Sequence, residues 1–331
     1  MAYDTYYARF AWFPKNQPLY LYMIPAILQL MVVVTNTFIV VLFLWRRWFG
    51  GVNVILIGMA ISDMASVVLL MISYWFALVL YVQSVNPQGE FQVHFLCITY
   101  KYGTNISMTF NMASIWLMML LGIVKFIVVR FPLKAKFLIT TNRLLIATMT
   151  IYLSSILFTV PHYVTDNYDI NAEVYPEKAE SNTFYCAIKR KVGGDIPLYL
   201  QTYEILIRCI CVHVIPIIAL LLTTTYFCCK LGRENNSVGR SETIRRSVKI
   251  VASLTIVHLI SEIPFSVFFL LRYHMTVSKQ SFEFIIENFH HIIFIMYILR
   301  FVNYLSNFWV YLVLNKKFRE AWHSLLCRCR R

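Results

Sequence analysis

The chain has 331 residues, 59% of them hydrophobic and 14% charged, with a mean hydropathy of +0.63. A soluble domain carries roughly 25% charged residues, so the composition excludes a water-soluble globular protein and indicates a polytopic membrane protein. The net charge of +14 does not indicate nucleic acid, because most basic residues fall on one set of connections between apolar runs.

Seven such runs follow in order: Tyr20–Trp45, Val54–Val82, Leu96–Val129, Leu144–Tyr163, Leu198–Cys229, Val248–Leu271 and Phe289–Leu314. None alternates as a barrel strand does, and each is long enough to cross a bilayer core of about 30 Å as a helix. The expected fold is therefore an all-α membrane protein, a seven-helix bundle. Residues 1–19 form an N-terminal segment without the apolar core of a signal peptide, so span 1 is its own insertion signal. Residues 20–314 form the bundle. Residues 315–331 form an amphipathic helix and tail, with Phe318, Trp322, Leu325 and Leu326 on the apolar side.

Orientation comes from charge. Arg46, Arg47, Lys125, Arg130, Lys134, Lys136, Arg143, Lys230, Arg233, Arg240, Arg245, Arg246, Lys249, Lys316, Lys317 and Arg319 share one side. That side is expected to be cytoplasmic and the N-terminus extracellular, in the plasma membrane. The bilayer's anionic inner face accounts for the charge without nucleic acid. The longest connection on the other side, His162–Pro197, carries Asp166, Asp169, Glu173, Glu177, Glu180 and Asp195 and is long enough to fold over the bundle mouth.

The stretch Cys97–Leu133 is the centre of the pattern. Its polar residues Asn105, Ser107, Asn111 and Ser114 thin out toward Lys125, as suits a helix surrounded by others that opens toward a ligand at one end. Cys97 and Cys186 are the two cysteines on the outer side, where an oxidising compartment favours a bridge. Cys209, Cys211, Cys228 and Cys229 read as packing residues of span 5. Cys327 and Cys329, beside arginines at the inner surface, suit S-palmitoylation or stay unmodified.

Ionisable groups inside a membrane are costly and usually functional. Asp63 lies in the middle of span 2, and Ser114, Asn303 and Asn307 lie at comparable depth on spans 3 and 7. Together they hold either a sodium ion or a closed hydrogen-bond network. Glu262 stands two residues before Pro264, and Arg300 lies on span 7 about two turns outward of Asn307. Either Glu262 and Arg300 pair across spans 6 and 7, or Glu262 receives a cationic ligand group. Glu204, Tyr203 and Asn111 complete the candidate ligand set, although Glu204 and Arg208 also have the spacing to pair with each other. No HExxH, GxSxG or P-loop is present, so no enzyme is expected.

The order of these features resembles rhodopsin-like G-protein-coupled receptors. The matching residues are Asn36, Asp63, Cys97 with Cys186, VKFIVVRFPL at the end of span 3, Pro216, Pro264 and NFWVY (Asn307 to Tyr311), followed by KKFREAW. Within that group RFPLK, SEIPF and NFWVY resemble the nematode class W serpentine receptors, related to myosuppressin and FMRFamide-type neuropeptide receptors. The resemblance implies an extracellular ligand, with a peptide first and a small environmental molecule second. It also implies coupling to a heterotrimeric G protein through Lys125, Arg130, Arg245, Arg246 and Lys249. The departures are Lys125 where the family has arginine, Val124 where it has an acid, and Phe308 where it has a proline that kinks span 7. A seven-span ligand-gated channel needs the opposite orientation, and a transporter needs internal repeats that are not seen.

Overall fold

The computed structural model describes residues 8–12, 20–48, 50–82, 90–165, 168–170, 184–190, 209–234, 242–278 and 289–328. Its helices are α1 (Tyr20–Trp45), α2 (Asn53–Val82), α3 (Glu90–Arg130), α4 (Pro132–Leu138), α5 (Thr141–Thr165), α6 (Ile215–Glu234), α7 (Glu242–Ser278), α8 (Phe289–Leu314) and α9 (Lys316–Arg328). A π-helical turn, Cys209–Val214, leads into α6. Spans 1 to 7 are α1, α2, α3, α5, the π turn with α6, α7 and α8. Six of these are long and apolar enough to cross a bilayer; α8, which carries Arg300 and Asn303, matches them with 26 residues.

The outward faces are those of a protein solvated by lipid. Span 4 presents Leu145, Ile146, Met149, Leu153, Ile156 and Leu157 to its surroundings, a contiguous apolar face that a water-soluble monomer does not carry. The polar residues turn inward instead: Asn105, Ser107, Asn111 and Ser114 of span 3 are all buried. Span 3 is the central post and touches spans 2, 4, 5 and 6. Its 41 residues reach about 60 Å, twice the hydrocarbon thickness, so it projects from the membrane.

Spans 2, 3 and 4 lock together around Gly58. A Cβ there would lie 3.0 Å from Thr148 Cγ2 and 3.3 Å from Leu117 Cδ1, so any larger residue would have to push those side chains aside at this close approach of the helices. Across the same contact the Tyr152 hydroxyl donates to the Gly58 carbonyl at 2.6 Å and receives a bond from Ser62 Oγ at 2.9 Å.

Three short strands, β1 (Ala8–Trp12), β2 (Tyr168–Ile170) and β3 (Phe184–Arg190), form an antiparallel sheet in the order β1–β3–β2. Phe10 lies opposite Cys186 and Asp169 opposite Lys189. β2 and β3 touch span 3, so this sheet marks one end of the bundle. The other end carries Lys125, Arg130, α4 and α9 and is called the basic end below. Neither the sheet nor α4 is foreseen from the sequence. Pro132 opens α4, where its missing N–H costs nothing.

The expected helix after span 7 forms over Lys316–Arg328. Asn315 caps it, accepting from the Phe318 backbone N–H at 3.3 Å. Two residues of its apolar side, Phe318 and Trp322, pack against the bundle. Phe318 is fully buried with Phe43, Phe308 and Tyr311, and Trp322 meets Phe38 at 4.4 Å and Phe308 at 5.6 Å, both edge to face. Arg46 donates to Ser324 Oγ from the end of span 1. Phe308, where the resemblance leads one to look for a proline, is thus the junction of span 7, span 1 and α9.

Candidate functional site

The buried polar residues form a series of levels along the bundle between the sheet end and the basic end. At the innermost level Asp63 is fully buried. Ser114 Oγ donates to its Oδ1 at 2.5 Å, and Asn307 Nδ2 donates to its Oδ2 at 2.7 Å. Ser66 Oγ donates to the Asp63 carbonyl at 2.8 Å. The expected convergence of Asp63, Ser114 and Asn307 is therefore found. Each carboxylate oxygen accepts one of these bonds and keeps a further lone pair. Asp63→Ala is expected to strand two buried donors at about 1–3 kcal/mol each, read as a lowered thermal unfolding midpoint; an unchanged midpoint would show that the two bonds contribute nothing.

Asn303 does not join this group. It sits one turn nearer the sheet end, where its Nδ2 meets His258 Nδ1 of span 6 at 3.1 Å. Between the two levels the Tyr304 hydroxyl donates to Asn111 Oδ1 at 2.7 Å. The amide oxygen of Asn111, a candidate ligand contact, is thus engaged within the bundle.

The third level holds Glu262. Of the two readings of Glu262, the pairing with Arg300 is not made. Glu262, 1% exposed, instead meets His213 Nδ1 of the π turn through Oε2 at 3.1 Å. Arg300 lays its guanidinium over the Phe265 ring, with Cζ 3.8 Å from the centroid, a cation–π contact. Phe265 is one turn beyond Glu262 on span 6, so Arg300 stands on the sheet side of the pair and within electrostatic reach of it. Glu204, Tyr203 and Arg208 lie outside the described residues.

Three polar atoms at this level have no hydrogen-bond partner: Glu262 Oε1, His258 Nε2 and Arg300 Nε. Buried polar groups are normally satisfied, so such a cluster marks a place where water or a ligand belongs. His213 and His258 are the residues the sequence reading missed. His258 and Glu262 are spaced i, i+4 and so share one helical face, a signal that was available. His213 carried a weaker one, three residues before Pro216. The proline ring excludes the carbonyl of the residue four before it, Val212, and the wider π turn makes room.

At the basic end Lys125 is half-buried, and Arg130 and Lys249 are exposed. Arg245 and Arg246 lie on α7; their side chains are outside the described residues. Arg130 and Lys134 flank the Phe131 ring. Next to them α4 leaves Leu133 84% and Phe137 75% exposed. Of the span 5 cysteines, Cys209 is buried as expected of a packing residue, whereas Cys228 and Cys229 face outward. Cys97 falls in α3 and Cys186 in β3, two elements in contact, but the bridge itself lies outside the described side chains. Cys327 lies on α9 and its side chain, like the whole of Cys329, is also outside them.

Comparison with known proteins places this geometry in a family. No curated protein matches the chain. The family model described as serpentine type 7TM GPCR chemoreceptor Srw matches residues 23–329, which takes in all seven spans and α9. A receptor family, not an enzyme family, is thus matched over nearly the whole length, and the chain belongs to the serpentine seven-transmembrane chemoreceptors of class Srw.

Proposed function

We propose that the protein is a plasma-membrane receptor that binds a small extracellular molecule at the sheet end and activates a heterotrimeric G protein at the basic end. The observation that carries this reading is the series of buried polar residues from Arg300 and Glu262, through His258, Asn303, Tyr304 and Asn111, to Asp63. Such groups are too costly in a membrane to persist without use. They link spans 2, 3, 5, 6 and 7, so a ligand that favours one arrangement of those spans shifts the population of the basic end. Pro264 on span 6 supplies a pivot. Basic connections at the α4 and α9 end support a cytoplasmic placement of that end, and the β3 contact with span 3 supports a Cys97–Cys186 bridge. A sodium ion beside Asp63 would use the lone pairs that the Ser114 and Asn307 bonds leave on the carboxylate. Palmitoylation of Cys327 or Cys329 fits their place beside arginines at the membrane surface.

The family description favours a small molecule over a neuropeptide. The second reading, a basic FMRFamide-like peptide, is supported by the acidic residues of His162–Pro197. Surface-expressed receptor challenged with odorant and amidated-peptide panels, read by nucleotide exchange on G proteins, separates the two. Silence to both panels across all G-protein classes counts against the receptor reading.

The G-protein face is expected to centre on Leu133 and Phe137. Exposed apolar anchors dominate interface energies, and these two sit amid Arg130, Lys134 and Lys136. Leu133→Ala with Phe137→Ala is expected to weaken G-protein activation about tenfold while ligand affinity measured without G protein stays unchanged. Equal activation by variant and wild type moves the coupling surface elsewhere.

A further inference from the structure

Arg300 is 8% exposed within a membrane span. Its charge needs an anion, yet among the described residues no carboxylate lies within ion-pair distance of it. Glu262 is the acid nearest in chemistry and is held by His213. Phe265 covers one face of the guanidinium but leaves the donor edge, where Nε has no partner. With Asn303 Nδ2 donating to His258 Nδ1, the proton of that imidazole is on Nε2, which also has no partner. The level therefore offers two unused donors, one on a cation, against a single unused acceptor, Glu262 Oε1. That inventory suits an anion, not the cationic group that Glu262 alone suggests.

We infer that Arg300 is the anion-binding group of the ligand site and takes the carboxylate of a small organic acid, with Phe265 as the floor beneath the guanidinium. The inference rests on the receptor reading only for its purpose; the binding itself is independent of coupling. The acid's oxygens accept from Arg300 along its Nε edge in a side-on, charge-assisted contact. A hydrogen-bond donor on the same molecule, such as a hydroxyl, meets Glu262 Oε1. The polar series then begins at a ligand-completed ion pair.

The test uses the full chain in nanodiscs and a panel of aliphatic, hydroxylated and aromatic carboxylic acids, each beside its methyl ester. Binding is read as a rise in the unfolding midpoint with ligand concentration. At least one acid is expected to stabilise the protein while its ester does not. Arg300→Gln is expected to weaken that acid about ten- to a hundredfold, and Arg300→Lys, which keeps the charge without the fork, to weaken it less. Should Arg300→Gln prove too unstable to purify, Phe265→Leu, which removes the ring under the guanidinium, is expected to weaken binding of that acid. Acid and ester acting alike, acid binding untouched by Arg300→Gln, or no acid binding at all would each overturn the inference. Nucleotide exchange evoked by a ligand without an acid group would do so too while leaving the receptor reading standing. Acid binding that depends on Arg300 with no exchange on any G protein would do the reverse.

Discussion

Replacing His213 with leucine is expected to destabilise the bundle by about 1–3 kcal/mol, the cost of leaving the other partner of a buried hydrogen bond unsatisfied. Glu262 is 1% exposed, and His213 is the one partner of its carboxylate among the described residues. Its other oxygen is already without a hydrogen bond, so the variant leaves the group unmatched in a membrane interior. Removing both partners has a different consequence. Replacing both partners of a buried polar contact by apolar groups of similar shape is often nearly neutral, so His213→Leu with Glu262→Leu is expected to recover most of the loss. A double-mutant cycle on unfolding midpoints in detergent gives the coupling directly. If the double variant loses as much as the sum of the single ones, the contact between spans 5 and 6 contributes nothing of its own.

Phe308→Ala is the second large effect. Truncating a buried phenylalanine costs about 3–5 kcal/mol. Phe308 is 5% exposed and its ring lies 5.4 Å from Trp309, 5.6 Å from Trp322, 5.9 Å from Phe38 and 6.0 Å from Phe318. Two of those rings belong to α9. The loss is therefore expected to fall on α9 first, as faster trypsin cleavage at Lys316 and Arg319 before any change in the bundle. Cleavage at the wild-type rate would mean that Phe318 and the Arg46–Ser324 bond hold α9 unaided. Phe308→Pro, which restores what the resembling receptors carry, is expected to lose both the ring and an interior helix bond.

Depth along a helix was legible in the sequence; lateral neighbours were not. The limits of α1 and α8 match the apolar runs residue for residue, because hydrocarbon thickness sets both. Asp63, Ser114 and Asn307 were grouped correctly by counting turns from the span ends. The same count put Asn303 with them, although one turn of about 5 Å is enough to hand it to His258. Depth likewise makes Arg300 one of two candidate partners for Glu262. Which side chain meets it, however, is decided by the rotation of span 5 about its own axis, and that rotation is set by the π turn. The sheet was invisible for another reason. Its strands have three to seven residues, too short for a period to register, and β1 pairs with a partner far along the chain.

The π turn at Cys209–Val214 bears on how this chain is compared with its kin. A wide turn of this kind holds one residue more than the α-helix around it, so span 5 contains what amounts to a single-residue insertion. In relatives without it, every position on the sheet side of Pro216 is displaced by about 100° around the helix. A gapless alignment of span 5 would then give the role of His213 to a neighbour that faces elsewhere. Deleting Cys211, which is only half-buried, removes the insertion. A chain so shortened would keep its seven spans yet present a different face of span 5 to Glu262. Gain or loss of one residue here would thus change which side chains of span 5 face Glu262 while the rest of the bundle stays as it is.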